Sequence, residues 1–181
     1  MKHHKITTIA LLVIIGSWLI QPSLARAGED SGLLYQPWFK HSDFDLRKDL
    51  ADAKAVGKTL AVLFEQRGCV YCQQMHDVNF KDDKIIKFIT DNFSVVQLDF
   101  RGDREVIDIS GERLPERILA RQYQVNGTPN IVFFGKDGKN VFRMPGYAEP
   151  RIFMAVFEYV NEKAYEHSSI QTWFKNRNKK S

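Results

Sequence analysis

Apolar positions along this chain fall into short unbroken runs and into stretches spaced at helical intervals, and the two kinds alternate. Thr59-Leu60-Ala61-Val62-Leu63-Phe64 is an uninterrupted run of strand length, suited to burial on both faces. Downstream, Met75, Phe80, Ile85, Ile86, Ile89 and Phe93 recur at helical spacing, with Asp82-Asp83 placed to start a second helical piece. Ser94-Val95-Val96-Gln97-Leu98-Asp99-Phe100 reads as a second strand. Asn130-Ile131-Val132-Phe133-Phe134 and Asn140-Val141-Phe142-Arg143-Met144 flank Lys136-Asp137-Gly138-Lys139, and Asp-Gly between two apolar runs predicts a hairpin. Two further helices are expected. Ser42-Asp43-Phe44-Asp45 caps the first, with Leu46, Leu50 and Ala53 on one face and Gly57 past its end. Pro150 opens the second, with Ile152, Phe153, Val156 and Val160 as its buried stripe. Between these elements, residues 101–116 read as either a small hairpin of Val106–Ile109 with Ser110–Leu114 or a long surface loop of the kind that carries partner specificity. The tail from Ser168 holds Trp173-Phe174, which can pack back on the domain, and a basic end with Lys175, Arg177, Lys179 and Lys180 that reads as a frayed terminus.

The N-terminus follows a different logic. Lys2 and Lys5 precede a largely apolar stretch from Ile6 to Ile20, followed by Gln21-Pro22 and Ala25-Arg26-Ala27. A basic start, an apolar region and an Ala-x-Ala site are the parts of a cleavable secretory signal. The run is shorter than the roughly 20 apolar residues of a membrane anchor, although Arg26 within the cleavage motif is unusual. Cleavage after Ala27 leaves 154 residues and removes three bases and no acids, taking the balance from 26 against 22 to 23 against 22. A net charge of +1 argues against a nucleic-acid binder. The composition of the full chain, 44% apolar and 27% charged, is that of one soluble globular domain. The expected organisation is a signal peptide at 1–27, an extension at 28–37, a domain at 38–166 and a basic tail at 167–181, in a soluble periplasmic protein.

Export changes how the two cysteines read. Cys69-Val70-Tyr71-Cys72 places them at Cys-x-x-Cys spacing, where a bridge closes almost no loop and makes a poor staple. Three chemistries use this spacing. Covalent haem needs His directly after the second cysteine, and Gln73 stands there. Zinc needs four ligands, and beyond this pair the mature chain offers only His41, His76 and His167. A redox dithiol needs nothing more and is the favoured reading, so no metal or other cofactor is expected. The pair lies where a central strand turns into a helix, so free N–H groups and the positive helix end face the first sulfur. That placement lowers a cysteine pKa from about 8.5 toward 7 or below, each unit being about 1.4 kcal/mol of preference for thiolate. Cys69 is therefore expected to be the exposed nucleophile and Cys72, one turn on, the shielded resolving thiol. Pro129, just before a strand, is either a cis-proline in a tight turn or a trans proline opening an edge strand.

Strand, Gly-Cys-x-x-Cys, helix, strand, helix, Gly127-Thr128-Pro129, hairpin and final helix resemble the thioredoxin fold across roughly residues 39–162. This is an α/β fold with a central mixed β-sheet flanked by helices, here with the inserted loop or hairpin before the Pro129 element. Phe64-Glu65-Gln66-Arg67-Gly68-Cys69-Val70-Tyr71-Cys72-Gln73-Gln74-Met75-His76, Val125-Asn126-Gly127-Thr128-Pro129, Phe133–Gly138 and Pro145-Gly146-Tyr147 are similar to the exported thioredoxins of the SoxW type, associated with bacterial sulfur oxidation. The resemblance implies that Pro129 is a cis-proline that keeps metal from the dithiol and offers backbone groups to a substrate strand. It implies that Thr128 tunes substrate handling and redox poise, and that Val70, Tyr71, Gly127 and Thr128 contact substrate. Trp38 is a further candidate contact, with ordinary packing as the favoured reading. Implied partners are exported proteins with oxidised cysteines, a sulfur-carrier protein among the candidates, and a membrane electron donor of the CcdA/DsbD kind; a monomer is favoured.

Departures from the cytoplasmic pattern carry information. Gly68 replaces a Trp, and Val70-Tyr71 replaces Gly-Pro. Leu63 stands where a buried Asp helps move the resolving thiol's proton. Glu65 shares Leu63's strand face and is the substitute candidate for that transfer; its alternative is a solvent-facing side chain at the strand end. His76 is read as a surface residue. No His lies between the cysteines, as it does in strong oxidants, so a reductase is favoured over an oxidase or isomerase. A nonenzymatic metal-binding module is the competing reading from a different class.

Overall fold

The computed structural model describes residues 32–179; the leader read at 1–27 lies outside the described residues. The first helix, α1 (Leu46–Ala55), is capped by Asp45, whose carboxylate accepts from the Arg47 and Lys48 amides. It ends where Gly57 takes φ +76° and the amides of Gly57 and Lys58 donate to the carbonyls of Lys54 and Ala53. Then follow β1 (Thr59–Glu65), α2 (Val70–Asp77), a 3-10 turn (Asn79–Lys81), α3 (Asp83–Asn92) and β2 (Phe93–Asp99). Asp82 caps α3 through the Lys84 and Ile85 amides. Phe93, placed on the helical stripe by its spacing, is instead the first residue of β2. The chain continues through β3 (Glu105–Ile107), β4 (Arg113–Pro115), α4 (Glu116–Gln122), β5 (Asn130–Phe134), β6 (Asn140–Pro145), α5 (Pro150–Asn161), a second 3-10 turn and α6 (Ile170–Asn178).

The main sheet has the order β2-β1-β5-β6. β1 runs parallel to β2 and antiparallel to β5, and β5 pairs antiparallel with β6, so the sheet is mixed. Six of the seven β1 residues are buried, because strands flank both edges and helices cover both faces. Ala61 and Leu63 face Met75, Ile85, Ile89, Phe153 and Phe157, contributed by α2, α3 and α5. Leu60, Val62 and Phe64 face Leu46, Ala53, Leu119 and Ala120, from α1 and α4. The first core is knit by edge-on rings, with Phe157 4.9 Å from Phe93 and 5.1 Å from Phe133. On α5 the buried stripe is Phe153, Ala155, Val156, Phe157, Tyr159 and Val160, whereas Ile152 is 38% exposed; the stripe is centred one residue later than its spacing suggests.

The insertion is a hairpin. β3 and β4 pair antiparallel with Val106 opposite Leu114, and Ile107 bridges to Asp45 ahead of α1. Val106 is fully buried in the second core. The ribbon is held by Glu116, which is 1% exposed; its Oε1 accepts from the Asp99 amide at 3.0 Å and from the Arg104 guanidinium. Burial pushes the Glu116 carboxyl above the usual range, against the pull of the Asp99 amide and Arg104. Arg104 in turn stacks 3.6 Å above the Phe44 ring.

The tail is not frayed where it is described. Ser169 caps α6 through the Thr172 amide. Trp173 lies 5.6 Å from the Tyr159 ring and donates its indole N–H to Glu162. Arg177 bridges Glu158 and Glu162, each at 2.8 Å. Spacing along α5 decides this docking, because Glu158 and Glu162 are one turn apart and meet the same guanidinium.

Glu116→Ala is expected to cost about 2–4 kcal/mol of stability, since it strands the Arg104 guanidinium and the Asp99 amide. Urea unfolding of the oxidised protein measures this.

Candidate active site

The site is assembled at the C-terminal end of β1. Beyond Glu65 the chain turns through Gln66-Arg67-Gly68, with Gly68 at φ +73° and the Cys69 amide donating to the Gln66 carbonyl. That left-handed conformation favours glycine, which accounts for Gly68 ahead of the dithiol. Cys69 is then the N-cap of α2, in extended backbone, and its Sγ accepts from the Cys72 amide at 3.1 Å. Cys69 and Cys72 are joined in a disulfide with Cα atoms 5.2 Å apart. Cys69 is half-buried and Cys72 only 1% exposed. A helical turn places the second sulfur under the first, so the two differ in access for a geometric reason.

β5 is the antiparallel neighbour of β1, with Phe64 opposite Asn130. The chain entering β5 therefore lies beside the dithiol. The Thr128–Pro129 peptide bond is cis, Pro129 is buried, and its carbonyl accepts from the Gly146 amide at 2.8 Å. The Thr128 hydroxyl donates to Cys69 Sγ at 3.3 Å. Gly127 is exposed, as are Val70 (76%) and Tyr71 (61%). The structure thus brings Cys69, Cys72, Thr128 and Pro129 together, with Val70, Tyr71 and Gly127 on the open rim. A groove of about 300 Å³ at Cys69 is lined by Gly32, Leu34, Gln66, Gly68, Val70 and Gln73 as well. Its outer wall comes from residues ahead of the domain, which no spacing rule connects to the dithiol.

Glu65 does not point into solvent. It is 1% exposed, with His76 Nε2 3.1 Å from each carboxylate oxygen and Gln97 Nε2 donating to Oε2 at 2.5 Å. His76 is not a surface residue either. It is 4% exposed, its ring packs 5.0 Å from Phe80 and 6.0 Å from Phe39, and the Gln36 amide reaches Nδ1 at 3.0 Å. The buried positions of α2 are Cys72, Met75 and His76, an i, i+3, i+4 stripe that placed His76 on the inner face all along. Gln36 and Gln97 complete the cluster without any signal in the sequence, since an isolated Gln has no pattern. Trp38 packs edge-on to Phe39 at 4.7 Å and Phe80 at 5.1 Å, a packing role. Among the described residues no cluster of three or more His, Cys, Asp or Glu is arranged to hold a metal ion, and no helix is long and apolar enough to cross a membrane.

A Cys-x-x-Cys disulfide at the junction of a central strand and a helix, in a mixed sheet flanked by helices, defines a thiol–disulfide oxidoreductase. The chain belongs to the thioredoxin-like domain family, whose model matches residues 46–161. Solved structures agree on the fold. A thioredoxin-fold protein from Helicobacter pylori is 23% identical over 69% of this chain and 87% of that one, with a TM-score of 0.59. A thioredoxin from Thermus thermophilus is 28% identical over 65% and 84%, with a TM-score of 0.51. A disulphide isomerase from Xylella fastidiosa is 21% identical over 71% and 98%, with a TM-score of 0.52. No curated protein matches the chain.

Removing the hydroxyl that donates to Cys69 Sγ has a defined consequence. In reduced protein at pH 7, Thr128→Val is expected to slow alkylation of Cys69 by iodoacetamide about two- to fivefold, the equivalent of one hydrogen bond of ~0.5–1 kcal/mol.

Proposed function

We propose that the protein is an exported reductase of protein disulfides. The observation that carries this reading is the asymmetry of the dithiol: a half-buried, N-capping Cys69 beside the exposed Val70 and Tyr71, with Cys72 buried behind it. The Cys72 amide and the Thr128 hydroxyl both aim at Cys69 Sγ. In the reduced protein these two donors and the α2 N-terminus favour a thiolate at Cys69.

The reaction then runs in two steps. Cys69 thiolate attacks one sulfur of a substrate disulfide, forming a mixed disulfide and releasing the other substrate sulfur as a thiolate, which takes a proton from water. Cys72 then gives its thiol proton to the Glu65 carboxylate, and its sulfur bonds to Cys69 Sγ as the Cys69–substrate bond breaks. The second substrate sulfur leaves with its electron pair and is protonated by water. The substrate gains two electrons, and the enzyme is left as the Cys69–Cys72 disulfide. Pro129, Thr128, Gly127, Val70 and Tyr71 form the surface on which the substrate strand lies.

The reductive direction is supported by Val70-Tyr71, which puts no cation between the cysteines to stabilise the reduced form. Export is supported by the basic, apolar and Ala-x-Ala parts of residues 1–27, and the likeness to thioredoxins of the SoxW type by the motifs from Phe64 to His76. On this reading the protein works in the periplasm as a monomer. It reduces exported proteins with oxidised cysteines, a sulfur carrier among them, and is itself re-reduced by a membrane carrier of the CcdA/DsbD kind.

Cys72→Ser is expected to accumulate a reductant-sensitive adduct through Cys69 in the cell envelope; no adduct together with unimpaired turnover overturns the mechanism. A redox potential near about −270 mV fits the reductase, and one near about −120 mV an oxidant. Stoichiometric metal in natively purified protein, lost in the double Cys→Ser variant, would instead identify a binding module.

A further inference from the structure

Four side chains from four separate parts of the chain meet in a cluster that shares the buried face of α2 with Cys72. Glu65 ends β1, His76 sits on α2 one turn beyond Cys72, Gln97 lies on β2, and Gln36 comes from the segment ahead of the domain. Gln97 Nε2 donates both to the Leu34 carbonyl and to Glu65 Oε2, which uses both amide protons and fixes its orientation. The Gln36 amide N–H donates to His76 Nδ1, so the neutral ring carries its proton on Nε2, where it donates to the carboxylate of Glu65. Every polar contact in the cluster then has a donor and an acceptor. Residues 34–36 thus form a strap tied to the buried pair at two points, one through Gln97 and one directly.

From this arrangement we infer that His76, oriented by Gln36, is a positioning residue for the resolving step, holding the Glu65 carboxylate in the orientation from which it takes the proton of Cys72. The inference rests on the proposed role of Glu65 and adds residues to it. A carboxylate enclosed by apolar packing is poorly solvated, and N–H donors replace the lost water. Cys72 and His76, four residues apart on the inner face of α2, are neighbours on one helix surface. When Cys72 Sγ loses its proton to Glu65 and bonds to Cys69 Sγ, expelling the substrate sulfur, the imidazole keeps the receiving oxygen in place. His76 touches no substrate sulfur and forms no bond. The strap matters to the chemistry because it sets which imidazole nitrogen bears the proton.

The test separates the two sulfur steps. Reduced full-length protein is mixed in a single turnover with an aromatic disulfide whose halves are released as coloured thiolates, the first on attack by Cys69 and the second on resolution by Cys72. His76→Phe is expected to leave the first release within about twofold and to slow the second about tenfold or more. His76→Gln, whose side-chain amide offers an N–H from the same helix position, should recover most of the second rate. Gln36→Ala should slow the second release alone, by about two- to fivefold. Should His76→Phe not fold, Gln36→Ala decides by itself, because Gln36 lies outside the core. An unchanged second release in these variants, an equal slowing of both releases, or no recovery with His76→Gln overturns the inference. Glu65→Gln distinguishes the levels. If it slows the second release while the His76 and Gln36 variants do not, the role of Glu65 stands and that of His76 falls. If Glu65→Gln has no effect, the proton-acceptor reading itself falls and takes this one with it.

Discussion

β1 is hydrogen-bonded on both edges and covered on both faces, and the geometry at the dithiol depends on where that strand stops. A slip of one residue would exchange Leu60, Val62 and Phe64 with Ala61, Leu63 and Glu65 across the sheet, putting a carboxylate among the rings of the α1–α4 side. The two packed cores therefore lock the register. With Phe64 opposite Asn130 and Glu65 opposite Asp99, the turn after β1 is carried to the loop before β5. Cys69 then meets the Thr128 hydroxyl, although the two are 59 residues apart in sequence.

Glu65 and Glu116 are both only 1% exposed, and their partners divide them by role. Glu116 faces a guanidinium that is charged at any working pH, so it forms a fixed ion pair that ties the inserted hairpin to α4. Glu65 instead faces the side-chain amide of Gln97 and the imidazole of His76, which Gln36 contacts in turn. Burying an acid in this way costs several kcal/mol unless donors replace water. At Glu116 the return is structural. At Glu65 one of the donors, His76, shares the inner face of α2 with Cys72.

Much of the architecture was legible in residue order because its causes are local. An apolar run of strand length, Asp45 and Asp82 at helix starts, Asp137-Gly138 between apolar stretches and Pro150 at a first turn each act within a few residues. The errors share a cause. His76 reads as a surface residue when considered alone, whereas the Cys72–Met75–His76 stripe marks the inner face of α2. For Glu65, named as a proton-transfer candidate, nothing near it in sequence decides against the solvent-facing alternative, because Gln97 and the strap lie far along the chain. The basic tail looked unfastened, because its anchors, Glu158 and Glu162, belong to α5.

Residue order alone determined the α/β class, the strand-to-helix placement of Cys69 and Cys72, and the expected inequality of those two sulfurs at the start of a helix behind a buried strand. Tertiary structure decided which polar groups meet: Thr128 with Cys69, Gln97 and His76 with Glu65, and Gln36 with His76. These contacts join segments tens of residues apart, and they are set by sheet register and helix packing, neither of which leaves a local mark on the side chains it brings together.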